Sequence, residues 1–444
     1  MNKRKSILLL LSVIFTIAAS QVYGAASNAS DGLPAAQNIN GGALANVPPV
    51  EVAIKTFQDR LKQNPNDPIT YALLANQYIR HARETGDVSG YQRAEQALNE
   101  SLLLLPKYTY ASTTLASVYY AQHDFASALD LAQAEYEKNS KNTQALVIVA
   151  DAQLALGNYL EAEAIYLQLS DLGVTPPILA RLAALEEMKG NPKDGLTLMR
   201  RAAGDALQAG GTKEGVAWYI LRVADMYFNV GQYRQAGKYY EAALRVFDHY
   251  PLALAGLGKV SAAQGRYDES SAYYQRAINI VPHPEYLAAL GDLYLLTGQP
   301  DQAQLQYETV ETIGKLAELN EQVYNRTLAN FYSDHDMKLK DALRLALAEL
   351  ESRKDIYGYD AAAWAQYKNG NFEEAQTLIE QAMSFGTQDA RLYFHAGMIA
   401  YALDQNQRAR DHLEQVLAIN PHFSILDFET ARATLGILQA TAGK

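Results

Sequence analysis

The chain has 444 residues, with 38 basic and 49 acidic side chains and a formal net charge of −11. It contains no cysteine, which excludes disulfides, thiolate zinc sites, cysteine nucleophiles and a lipidated lipoprotein cysteine. Its acidic balance repels phosphate backbones and anionic membranes, so it argues against nucleic acid and favours basic or neutral polypeptide as a partner.

Lys3, Arg4 and Lys5 precede an apolar run over 7–19, and small residues follow around Ser20 and Gly24. This is the order of a secretory signal peptide, assigned to residues 1–24. The run is shorter than the roughly 20 residues a bilayer-spanning helix wants, so cleavage is expected after Gly24 or after Ser20. An uncleaved amino-terminal anchor is the competing reading. Cleavage removes three positive charges, moves the net charge from −11 to −14, and leaves a mature chain without a transmembrane segment in the periplasm or outside the cell. Residues 25–49, rich in alanine, asparagine, glycine and proline, read as a disordered tether. Ala53, Phe57 and Pro65 then carry the spacing of the second helix of a hairpin without its first, so 50–65 reads as a half-repeat covering the end of a stack.

The unit that recurs is plainest over 252–282. Leu254, Leu257, Gly258 and Ser261 share one side of a first helix, and Tyr267, Ser270, Tyr274 and Ala277 share one side of a second. Gly265 supplies the left-handed conformation that ends the first helix, and Pro282 lacks the amide proton needed to continue the second. An αα-hairpin cannot cover its own apolar face and needs neighbours of its kind. Matches to Ser270 recur at Ala128, Ala162, Ala236, Ala303, Ala342, Ala375 and Ala409, with Gly195 in one further place, at spacings of 34, 33, 41, 34, 33, 39, 33 and 34. Gly157, Gly190, Gly231, Gly298 and Gly370 match Gly265.

This order of residues resembles the tetratricopeptide repeat, carried by Leu254, Leu257, Gly258, Gly265, Tyr274, Ala277 and Pro282. Ser261 and Ser270 depart from the family's tyrosine and alanine, and the next unit restores both with Leu290, Gly291, Tyr294, Gly298, Ala303 and Tyr307. The resemblance implies an all-α, right-handed superhelical solenoid of about ten helix-turn-helix hairpins, whose first helices line a concave groove.

In chain order, 66–203 holds repeats 1 to 4. The first uses Tyr71, Leu74, Ala75, Tyr78, Ala94, Leu98 and Pro106, with an expected loop insertion over 84–90. The second uses Leu115, Ala116, Tyr119, Ala128 and Ala132, the third Val149, Ala150, Gly157, Ala162 and Tyr166, and the fourth Leu182, Ala183, Gly190, Gly195 and Met199. Over 204–216 the spacing stretches around Gly210 and Gly211, which reads either as a joint between two halves or as a longer helix pair. Repeats 5 to 10 fill 217–424, and a capping helix is expected within 425–444.

No catalytic arrangement rises above the repeat: Gly258 and Lys259 lack the other residues of a phosphate loop, and no zinc-spaced histidine set occurs. Asp334, His335 and Asp336 form the one compact cluster with metal-ligand character, read as a solvated polar turn. The resemblance implies a groove lined by Asn76, Asp151, Asp225, Asp292, Asn330 and Trp364, with Lys259 between Asp225 and Asp292. Tyr120, Phe228, Tyr367 and Tyr401 lie one turn further. Such a groove suits an extended or basic peptide; a solvated inner face is the alternative. Arg326 and Asn330 have half of the spacing by which some family members clamp a terminal carboxylate. The expected function is that of an exported, non-enzymatic scaffold without cofactor or metal, binding another polypeptide, or else a structural part of an envelope export or polysaccharide-secretion apparatus.

Overall fold

The computed structural model describes residues 48–319 and 325–442. The expected leader, and the tether up to residue 47, lie outside the described residues. Among the described residues there are 22 α-helices and no strand. Helix α1 (Val50–Gln63) stands alone. Hairpins 1 to 5 are α2 (Pro68–Thr85) with α3 (Ser89–Leu104), α4 (Thr109–Ala121) with α5 (Phe125–Lys138), α6 (Thr143–Ala155) with α7 (Tyr159–Leu172), α8 (Pro176–Met188) with α9 (Pro192–Ala209), and α10 (Lys213–Asn229) with α11 (Tyr233–Val246). Hairpins 6 to 10 are α12 (Pro251–Ala263) with α13 (Tyr267–Ile280), α14 (Pro284–Leu296) with α15 (Pro300–Leu319), α16 (Asn325–Asp334) with α17 (Leu339–Ser352), α18 (Ile356–Lys368) with α19 (Phe372–Met383), and α20 (Ala390–Ala402) with α21 (Asn406–Ile419). Helix α22 (Asp427–Ala442) follows the last hairpin. The fold is an all-α solenoid of helix-turn-helix repeats.

Close helix crossing explains the recurring small residues. Ala128, Ala162, Ala236, Ser270, Ala303, Ala342, Ala375 and Ala409 are wholly buried. The Ser270 hydroxyl donates to the Gly258 carbonyl at 2.8 Å, which makes serine tolerable there. A Cβ on Gly258 would stand 2.8 Å from the Tyr274 ring, so an added methyl would force the helices apart at a cost of roughly 1–3 kcal/mol. Where a hairpin turn lacks glycine, His123, Asp336 and Asp404 take the positive-φ backbone, as histidine and aspartate do more readily than other side chains.

One stretch looks different from its sequence, and another takes one of its two expected forms, a longer helix pair. The insertion over 84–90 lengthens α2 instead of projecting as a loop, leaving 86–88 as the turn. The Arg80–Glu84 pair at 2.6 Å supports the added helical turn, and Arg83 reaches Glu214 on hairpin 5 at 2.8 Å. Residues 204–216 hold the end of α9, a turn at 210–212 and the start of α10. One core runs across them, including Ala202, Ala203, Val216, Ala217 and Ile220.

The decisive tertiary feature is that successive superhelical turns touch. The turn within hairpin 3 meets the connection after hairpin 8, where the Lys354 amide donates to the Ala155 carbonyl at 3.0 Å. The turn within hairpin 4 meets the connection after hairpin 9: Gly190 abuts Gly386, and Tyr159 of hairpin 3 stacks on Phe385 with centroids 4.4 Å apart. Hairpin 5 meets the connection after hairpin 10, where Tyr233 donates to Asn420 at 2.6 Å and Asn420 donates to the Phe228 carbonyl at 2.9 Å. Gly86 of hairpin 1 likewise faces Val281. One superhelical turn therefore takes between five and six hairpins. The turn glycines of hairpins 6, 7 and 9, with no later turn to meet, have nothing within 4 Å of a notional Cβ.

Candidate functional site

The expected acidic row is already engaged within the molecule. Tyr166 donates to Asp151 at 2.8 Å, Tyr240 to Asp225 at 2.7 Å, and Tyr307 to Asp292 at 2.7 Å, each across 15 residues from second helix to first. Arg181 grips Asp151 with two nitrogens at 2.6 Å, and Arg222 pairs with Asp225 at 2.8 Å. Burial first, then the facing carboxylate, raises the Tyr166, Tyr240 and Tyr307 hydroxyls well above the ordinary tyrosine range. These aspartates tie the two helices of their hairpins together through charge-assisted bonds.

The other expected positions are placed as follows. Asn76 donates to the Tyr110 hydroxyl at 2.7 Å. Tyr120 packs edge-on against Phe125, and its hydroxyl is pushed up to about 12 by burial and then by Asp151. Phe228 is buried against Tyr233. Arg326 is taken by Asp355 at 3.2 Å, which engages the cation a carboxylate clamp would use. Trp364 is 3% exposed, stacks between Tyr367 and His395, and donates its indole N–H to Asp334 at 2.8 Å. Tyr401 is half-buried on the same cluster.

The expected polar turn is only partly solvated. Asp334 holds Trp364, and the His335 side chain is only 7% exposed, with Nε2 2.7 Å from Asp292 and its ring against Tyr307 and Phe331. Burial pulls the His335 pKa down, but Asp292 outweighs it and leaves it above the ordinary value. Asp336 pairs with Lys368 at 2.8 Å. Among the described residues no cluster could hold a metal ion.

A cavity of about 520 Å³ is lined chiefly by the first helices of hairpins 5 to 8, the start of α20, and the chain between α21 and α22. Of the expected positions it brings together Phe228, Asp292 and Asn330, with Lys259 exposed beside them. Sequence reasoning missed Arg391, Asp389 and Asp427. Arg391 is exposed to water and lies in the field of several carboxylates. Burial pulls its guanidinium down, and Asp334, Asp360, Asp389 and Asp427 together leave it above its ordinary value. Asp389 is pushed up by burial and then by Asp360, and Asp427 by burial and then by Asp334. The available signal was the apolar run Phe423, Ile425, Leu426 and Phe428 at the junction of two helices, where a plain connection would be polar.

Residues 113–172, 224–286 and 361–422 match the family model described as tetratricopeptide repeat. The hairpins in these stretches carry the tetratricopeptide pattern. No curated protein matches the chain. Similar solved structures include yeast Tom70, at 13% identity over 88% of this chain and 93% of that one, with a TM-score of 0.34. A tetratricopeptide repeat protein from Parabacteroides merdae is 17% identical over 60% of this chain and all of its own, also at 0.34. The APC/C heterotetramer Cut9–Hcn1 is 15% identical over 87% and 81%, at 0.37.

Proposed function

We propose that this tetratricopeptide-repeat chain is an exported, non-enzymatic scaffold that holds an extended segment of another polypeptide in its concave channel. The observation that carries this reading is the cavity over hairpins 5 to 8 and α20, which joins apolar wall (Phe228, Ala262, Ala288, Phe331) to charged groups of both signs (Lys259, Glu285, Asp389, Arg391). Such a lining suits a chain that offers apolar side chains with charges beside them. The tyrosine-bound aspartates hold the wall in shape, so recognition falls to the remaining charges. Export rests on the order of residues 3–24. No helix among the described residues is long and apolar enough to cross a membrane.

A photoreactive benzophenone side chain at position 259, inside the channel, tests this reading in the cells that make the protein. Position 305, a 60%-exposed leucine on a second helix, is the control. We expect one defined polypeptide to be captured from 259 alone, joined through a continuous peptide stretch. Equal capture from both positions, or none from 259, removes the channel as the binding site.

A further inference from the structure

Residues 420–429 read Asn-Pro-His-Phe-Ser-Ile-Leu-Asp-Phe-Glu. The stretch is half-buried from 421 to 428 and lays side chains on two superhelical turns at once. Asn420 is fixed to hairpin 5 by Tyr233 and the Phe228 carbonyl, and the His422 amide donates to the Tyr233 hydroxyl at 3.3 Å. Phe423 packs on Phe394 of hairpin 10, with centroids 5.3 Å apart. Two residues on, Ile425 packs on the cluster that holds Tyr286 and Leu290 of hairpin 7. Asp427, two residues further, accepts from Ser424 at 2.8 Å and adds its charge to the field on Arg391. The same stretch lines the cavity together with Lys259, Asp292 and Asn330.

We propose that residues 420–428 are an intramolecular ligand of the concave channel. A partner enters by displacing them with a segment of the same chemistry: an aromatic residue with an apolar residue two places on. The inference rests on the channel being the binding site. The chain's own segment shows which side chains fit there, Phe423 packing on Phe394 and Ile425 on the cluster of Tyr286 and Leu290. Because the segment is tethered, its effective concentration is on the order of millimolar. An incoming peptide therefore binds in proportion to the fraction of molecules whose channel is open.

The test is fluorescence anisotropy with a labelled synthetic peptide of residues 420–429, using the full chain and its Phe423→Ala/Ile425→Ala variant. The variant should bind the peptide at least tenfold more tightly than the parent, and a scrambled peptide should gain nothing. Equal affinity for the two proteins, or an equal gain by the scrambled peptide, overturns the proposal. Because the chain has no cysteine, Ser424→Cys in the otherwise unchanged chain gives a second reading. Its maleimide labelling should accelerate severalfold when millimolar peptide is added, and an unchanged rate overturns displacement. If these peptide results fail while the benzophenone at 259 still captures its polypeptide, only the displacement inference falls. Peptide exchange without any capture from 259 removes the scaffold reading, and with it the partner that would displace the segment.

Discussion

Replacing Gly157 or Gly190 by alanine separates the winding of the superhelix from the folding of its hairpins. Gly157, Gly190 and Gly370 hold φ of 83°, 81° and 81°, so alanine at any of them meets the same left-handed penalty of roughly 1–2 kcal/mol. Their surroundings differ. A Cβ on Gly157 would stand 2.6 Å from the Lys354 carbonyl oxygen, one on Gly190 would strike the Gly386 carbonyl, and one on Gly370 meets nothing within 4 Å. The backbone of the next superhelical turn must give way in the first two cases, at roughly 1–3 kcal/mol more. At Gly157 the Lys354-to-Ala155 hydrogen bond goes with it, a further loss of about 0.5–1.5 kcal/mol. Gly370→Ala should thus cost about 1–2 kcal/mol and Gly157→Ala roughly 2.5–6.5 kcal/mol. Native-state hydrogen exchange is the assay, because repeat arrays open in local units. The Gly157→Ala loss should appear at the Lys354 amide and in hairpins 3 and 8, while the Gly370→Ala loss should centre on hairpin 9. Equal losses at both glycines with an unchanged Lys354 amide would refute the contact between turns.

Trp364→Ala should cost about 3–5 kcal/mol in urea unfolding, because the ring is buried between Tyr367 and His395; a loss under about 1 kcal/mol would return Trp364 to the ligand face. His123, at φ 65°, can be exchanged for asparagine, which tolerates the same backbone. Burial, then Arg353 and Arg326, lowers its imidazole from 6.5 to about 4. The unfolded chain therefore binds more protons than the folded one between these values, so His123 contributes stability above pH 6.5 that is lost as pH falls towards 4, up to about 3 kcal/mol. Asp389, Asp427 and Glu214, with raised values, act in the opposite direction but are shared by parent and variant. Urea unfolding at pH 4 and pH 7 should show the parent losing more stability than His123→Asn; parallel profiles would sink the assignment.

The hairpins and their order could be read from residue types alone because the forces that make them are local. A glycine or proline stops a helix within a few bonds, and a wholly buried alanine such as Ala303 must be small wherever two adjacent helices cross. Asp292 shows where that reading stops. Its place on a first helix followed from spacing, but whether its carboxylate was free depended on Tyr307 on the paired helix and on His335 of the next hairpin, 43 residues away. Trp364 stood in the same row and turned inward, because Asp334 offered its indole an acceptor and His395 a ring to stack on.

The glycines divide the same way. Gly190 and Gly370 are alike in sequence and in φ, each serving its own hairpin turn, and nothing near either one says that the first also carries the backbone of another superhelical turn. That role depends on a rotation too small to see in any one hairpin, which accumulates over five to six of them until distant connections meet. The same accumulated winding brings residues 420–428 back over hairpins 5 to 7. Local chemistry wrote the repeat; the summed geometry of the stack decided which distant connections meet.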